Sequence, residues 1–240
     1  MTRYYQERRQ LQAPLARRAQ SLFNSLDIKQ TLQHLAQTGY ALGLRVPEEQ
    51  VNRILNFRLQ NLPSYSRDPH QRCAAISEIA HDPKLLAVVT QHLGAEPILF
   101  SSHLYWTQPP ATPRAWQRTL AAKSRFHYDV GDFRMLSVFI YLTDVDENCG
   151  PHLVIAGTHR HKTPRQLLSR YLDDRIAYDT YPSAIQPITG ARGTGFFEEL
   201  TCYHKHSVGQ KPRLMLNITY TLQRKPRQKR NSRQLASFAE

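Results

Sequence analysis

"RMLSVFIYLTDVDENCGPHLVIAGTHR", residues 134–160, decides how the chain is read. Successive side chains of a strand point to opposite faces. In the first half of the stretch, Leu136, Val138, Ile140 and Leu142 share one face. Ser137, Phe139, Tyr141 and Thr143 share the other. The aliphatic face suits packing against a sheet or helix, and the mixed face suits a pocket wall. An acidic turn and Gly150-Pro151 follow, then a second short apolar run at 152–157.

Further strands read outward from this centre: "PILFSSHLYW" from residue 97, "TGFFEEL" at 194–200 and "RLMLNITYTL" at 213–222. Helical patterns come earlier. Residues 19–38 place Leu22, Leu26, Leu32 and Leu35 at helical spacing, with a stop at Gly39. Residues 47–59 and 72–93 read as helices, the second broken at Pro83 with Asp82 as a new N-cap and stopped by Gly94. Residues 162–175 read as a helical insertion. Helices first and spaced strands later predict an antiparallel sandwich or barrel with helices outside. The expected organisation is one domain over residues 1–222, helical to about residue 96 and mainly β from 97, then a basic tail over 223–240.

The 240 residues carry a net charge of +13. Residues 1–20 hold +4 of it and residues 223–240 hold +5, leaving +4 for the rest. The basic character therefore lies mostly in the ends, as solvated charge, and specific nucleic-acid binding is not expected. No apolar run is long enough to span a bilayer, and the polar N-terminus is no secretory signal. Cys73, Cys149 and Cys202 are far apart and odd in number. They predict reduced thiols in a cytoplasm rather than a disulfide frame or a cysteine zinc site. The oligomeric state is not legible.

"RFHYDVGDF", residues 125–133, holds the chain's single His-x-Asp, His127 and Asp129. In an extended segment these two side chains project together and offer two legs of a metal site. A histidine from a distant strand would complete a facial triad with open positions, suited to iron(II) and oxygen chemistry. Taken alone, the spacing more often marks a hydrogen-bonded surface pair.

The surrounding motifs add to it. The order His-x-Asp, apolar strand ending in Leu142-Thr143-Asp144-Val145, Gly150-Pro151, Gly157-Thr158-His159, then "YHKHSVGQKPRLMLNITY" resembles the phytanoyl-CoA dioxygenase family. The motifs span residues 97–222, and Thr158 stands where the family usually has serine. The resemblance implies a double-stranded β-helix (jelly-roll, cupin-like) core with N-terminal helices packed outside. It implies an Fe(II)/2-oxoglutarate-dependent dioxygenase: O2 is consumed, 2-oxoglutarate becomes succinate and CO2, and a substrate C–H bond is oxidised. By the family pattern His127, Asp129 and His204 are the metal ligands and Arg213 holds the distal carboxylate of 2-oxoglutarate. Ser137 and Tyr141 are candidate further contacts to that co-substrate. Lys211 and Arg192 are the alternatives to Arg213.

His206 competes with His204 as third ligand, because the two share a face, and otherwise borders the pocket. Phe139 and Trp106 are possible pocket residues, with ordinary core an equal reading for Trp106. His152 and His161 are discounted, and His159 is expected to serve structure through hydrogen bonds. Asp129 argues against halogenation, in which the family gives up the carboxylate ligand. Desaturation and demethylation share the triad with hydroxylation and stay open. A non-catalytic β-helix binding module has little support, because every ligand position is filled. The expected substrate is a small molecule, anionic or zwitterionic, from secondary metabolism.

Overall fold

The computed structural model describes residues 20–61, 65–122, 125–132 and 134–223. Its elements run α1 (Ile28–Thr38), β1 (Tyr40–Arg45), α2 (Glu48–Asn61), β2 (Tyr65–Arg67), α3 (Ala74–Ala80), α4 (Pro83–Leu93), β3 (Ile98–Thr107) and α5 (Pro113–Ala122). They continue with β4 (Arg125–His127), β5 (Met135–Tyr141), β6 (His152–Ile155), α6 (Pro164–Leu168), β7 (Tyr171–Asp173), α7 (Asp174–Thr180), β8 (Ile185–Ile188), β9 (Thr194–Glu199), β10 (His204–His206) and β11 (Arg213–Thr221). The basic tail from Arg224 and the first 19 residues lie outside the described residues.

Two antiparallel sheets face each other. One has the order β1-β9-β5-β11-β3-β2, the other β7-β4-β10-β6-β8. Consecutive strands from β3 to β6 alternate between the sheets, as do those from β8 to β11, which is the winding of a double-stranded β-helix. β5 is buried along its whole length. Leu136, Val138 and Ile140 of β5 join Leu214, Leu216 and Ile218 of β11 against Leu35, Ile54, Ile76 and Val88 of the first four helices. Each such side chain contributes about 1.5–3 kcal/mol on burial. The opposite face of β5 turns Met135, Phe139 and Tyr141 between the sheets, where Val154, Ile188, Phe196 and Met215 meet them. The alternation read from the sequence is the division observed.

Several expectations need correction. Residues 20–27 are not helical: Asp27 caps α1, accepting from the Gln30 N–H at 3.0 Å. Phe23 and Leu26 are buried from an irregular segment instead, so the helical spacing of Leu22 and Leu26 with Leu32 and Leu35 runs on past the Asp27 cap without a helix behind it. The first 96 residues are not purely helical, because β1 and β2 add to the two edges of the larger sheet. Within 162–175 the helix is short, and β7 interrupts the insertion by pairing with β4. The break at Asp82 and Pro83 is as expected: the Asp82 carboxylate accepts from the N–H groups of Lys84 and Leu85.

Candidate metal centre

β4 ends at His127 and β10 begins at His204. The two residues pair directly across the antiparallel ladder, with ring centroids 4.6 Å apart. Asp129 follows just beyond β4, where its N–H donates to the Leu200 carbonyl at 2.8 Å. One donor atom from each of His127, Asp129 and His204 lies within 4.8 Å of the others. His204 Nδ1 sits 3.0 Å from the Cys202 carbonyl, which leaves Nε2 for a metal. Thr158 of the Gly-Thr-His turn holds the approach to His204: its hydroxyl donates to Ile155 O at 2.7 Å and accepts from the Tyr203 N–H at 2.9 Å.

Burial lowers the pKa of both imidazoles below the ordinary histidine value. Asp129 pulls His127 part of the way back, and Glu198 does the same for His204. Neutral imidazoles and a carboxylate are the protonation states a metal requires. Two nitrogens and one oxygen on one side of a site, with the other side open, fit a non-haem iron(II) ion.

Arg213 opens β11 and is fully buried. Its Nη2 lies 3.1 Å from His206 Nδ1, and its Cζ lies 6.0 Å from the centroid of the Tyr141 ring. Nε and Nη1 have no protein partner. A buried guanidinium with unpaired donors is costly, and its fork matches a carboxylate in two parallel bonds. The orphaned donors therefore fit one end of a dicarboxylate such as 2-oxoglutarate.

His206 does not share the triad. Its Nδ1 accepts from Arg213, and its Nε2 faces the Tyr105 hydroxyl at 3.3 Å. Tyr141 is wholly buried: its hydroxyl donates to Ile188 O at 2.8 Å and accepts from the His152 N–H at 3.1 Å. Ser137 is not brought to Arg213. It pairs with Thr219 across the β5–β11 ladder, hydroxyl to hydroxyl at 2.7 Å. Six residues of strand separate Thr219 from Arg213, about 20 Å. Trp106 turns outward to the helix-covered core, because its ladder partner Leu214 lies on that face. Phe139 does line the site. His159 bonds to Ala36 O through Nε2 at 3.3 Å. Lys211 pairs with Asp146, and Arg192 with Glu48, both near the surface.

A cavity of about 250 Å³ adjoins the three donors. Met135, Phe139 and Leu200 give it apolar walls, while His103, His152 and Asn217 give it polar ones. His152, discounted on sequence, is fully buried. Burial pushes its pKa down to about 3, with Arg213 adding to the shift. Glu198 in β9 belongs to no motif legible in the sequence. It is fully buried between His152 and His204, and burial pushes its pKa up to about 7 against the opposing pull of His204. The alternation of β6 carried a signal for His152, which shares a face with Val154. Nothing in "FFEE" by itself distinguishes Glu198 from Glu199.

No family profile and no curated protein sequence matches the chain. Solved structures do. The epimerase SnoN from nogalamycin biosynthesis, in complex with Fe3+, alpha ketoglutarate and nogalamycin RO, aligns with a TM-score of 0.62 at 16% identity, over 81% of this chain and 83% of that one. EctD from S. alaskensis, with 2-oxoglutarate and 5-hydroxyectoine, gives 0.58 at 16% identity, over 87% and 86%. HygX from Streptomyces hygroscopicus, with iron bound, gives 0.59 at 15%, over 80% and 85%. The fold is the one these proteins share. At such identities the likeness is one of architecture, and the chemistry rests on the residues.

Proposed function

We propose that the protein is a non-haem Fe(II)/2-oxoglutarate-dependent dioxygenase that hydroxylates a C–H bond of a small molecule in secondary metabolism. One conjunction carries the reading: two imidazoles and a carboxylate converge within 4.8 Å, and a fully buried Arg213 with two unpartnered donors is bonded to His206, which lines the same cavity as those three. His127, Asp129 and His204 would hold the metal, and Arg213 would pair with the distal carboxylate of 2-oxoglutarate. His206 fixes the guanidinium by accepting from Nη2. Met135, Phe139 and Leu200 keep the cavity partly apolar, which strengthens the charge pairing inside it. When bound, iron and 2-oxoglutarate supply the oxidising power, with O2 consumed and succinate and CO2 released.

The order of the His-x-Asp, Gly-Pro and Gly-Thr-His motifs supports placing the chain beside the phytanoyl-CoA dioxygenase family. The similar folds that act in nogalamycin biosynthesis support a natural-product substrate. Strands from before and after residue 97 share one sheet, which supports a single oxygenase domain through residue 222. Three buried free thiols support a reducing, cytoplasmic setting. No helix among the described residues is long and apolar enough to cross a membrane.

The test is anaerobic titration of the protein with Fe(II) and then 2-oxoglutarate. A weak visible charge-transfer band should appear only when both are present. With O2 and a panel of small molecules, succinate formation and a mass gain of one oxygen identify the substrate. Absence of both the band and succinate overturns the reading.

A further inference from the structure

Glu198 and Glu199 are neighbours in β9 with opposite surroundings. Glu199 turns outward and meets His92 of α4 at 2.6 Å. Glu198 turns inward, opposite Ser137 in the ladder, and is wholly buried. Its only ion-pair partners among the described residues are two histidines. Oε1 lies 3.1 Å from His204 Nδ1, beside the Cys202 carbonyl to which that nitrogen is hydrogen-bonded, and Oε2 lies 2.6 Å from His152 Nε2; both are close charge contacts without hydrogen-bond geometry. No lysine or arginine among the described residues reaches it. A carboxylate without a cation is a poor choice for a core, so its place between two rings calls for a role there.

His152 stacks on His204, centroids 5.5 Å apart and planes 22° off parallel. Its ring is also 5.2 Å from that of His206, which is bonded to Arg213. His152 lines the cavity; both of its ring nitrogens are buried without a hydrogen bond, Nε2 in close contact with Glu198 and Nδ1 without a protein partner. It therefore stands between the three metal-facing donors and the guanidinium.

We propose that Glu198 is a positioning residue: its two carboxylate oxygens, set against Nδ1 of His204 and Nε2 of His152, act with the Cys202 carbonyl to orient the two rings, so that His204 presents Nε2 to the metal and His152 presents Nδ1 to the bound keto acid. This inference rests on the oxygenase reading above. A carboxylate behind a metal-binding histidine fixes the ring and raises its basicity, and loss of such a partner typically weakens metal binding about 10- to 100-fold.

The experiment is a titration of the full chain with Co(II) without O2, read by its d–d absorption, for wild type, Glu198→Gln, Glu198→Asp and Glu199→Gln. Thermal unfolding of each metal-free protein accompanies it. Wild type should bind. Glu198→Gln should fold, bind Co(II) roughly 10- to 100-fold more weakly and show shifted d–d bands. Adding 2-oxoglutarate to each cobalt form should reveal a further loss of keto-acid affinity in the Glu198→Gln protein. If that variant does not fold, Glu198→Asp carries the test: it keeps the charge but withdraws it by one methylene, and it should also bind more weakly. Glu199→Gln should bind as wild type does, even where it unfolds earlier. Unchanged Co(II) affinity in the folded Glu198 variants overturns the inference. An equal loss in Glu199→Gln also overturns it, because the effect would then be a general loosening of β9. Failure of wild type to bind Co(II) overturns the oxygenase reading itself, before any variant is compared.

Discussion

His127 and His204 are direct partners in the β4–β10 ladder, and their rings stand 4.6 Å apart. They are 77 positions apart in the chain. Because side chains alternate along a strand, a slip of one residue would send one ring to the far face of the sheet. The register is thus part of the metal site, and Thr158 helps to hold it by bonding the chain at Tyr203.

Replacing any one of His127, Asp129 or His204 with alanine is expected to remove most Fe(II) binding. Three ligands leave no spare, so the loss should exceed the roughly 10- to 100-fold cost of an outer partner. Equilibrium binding of Fe(II) or Co(II) without O2 measures it. Alanine at His206 should leave metal affinity nearly unchanged, because both of its nitrogens are engaged elsewhere.

Arg213→Leu should weaken 2-oxoglutarate binding by more than tenfold while metal affinity changes far less. Removing one partner of a buried charged pair costs about 2–5 kcal/mol, and about 1.4 kcal/mol is a factor of ten. Arg213→Lys should recover part of the loss, keeping the charge without the fork. In the ligand-free protein, Arg213→Met should change the melting temperature little, since the Nη2 contact to His206 is lost but so is a buried guanidinium whose Nε and Nη1 have no partner. Titration of the visible band and a thermal melt check the two halves.

Gly150→Ala should destabilise the protein by about 1–3 kcal/mol, the usual range for overpacking. Gly150 has φ +65°, and a Cβ there would lie 2.5 Å from the Gly209 nitrogen. The turn before β6 is pressed against the loop that leads from His206 to Arg213. Urea unfolding gives the stability, and 2-oxoglutarate affinity should fall with it as that loop is displaced.

Acid should release the His92–Glu199 clamp. Burial pushes Glu199 up, but its hydrogen bond to His92, the charge of that ring and the Thr201 hydroxyl outweigh it, so its pKa lies below the ordinary 4.5. A depressed carboxylate contributes stability above its unfolded pKa and loses it as pH falls through the folded value. Between pH 7 and pH 3, wild type should therefore lose more in melting temperature than Glu199→Gln does. Equal slopes would mean that the pair contributes nothing.

The sequence by itself determined the strand at 135–141, which of its faces is aliphatic, and the breaks at Gly39, Asp82–Pro83 and Gly94. These are local facts: period-two alternation and capping chemistry act over a few residues. It also carried His127 and Asp129 as a pair, because their spacing in an extended segment is itself a geometry. Tertiary structure alone decided the rest. β1, β2 and β7 are short edge strands whose pairing, not their composition, makes them strands. Ser137 parted from Arg213 because strand register sets distances along β11 that no motif reports. Glu198 and Glu199 are the same residue type in the same strand. Only the packing of β9, with one face against the helices and the other between the sheets, sends the second to His92 and the first to His204 and His152.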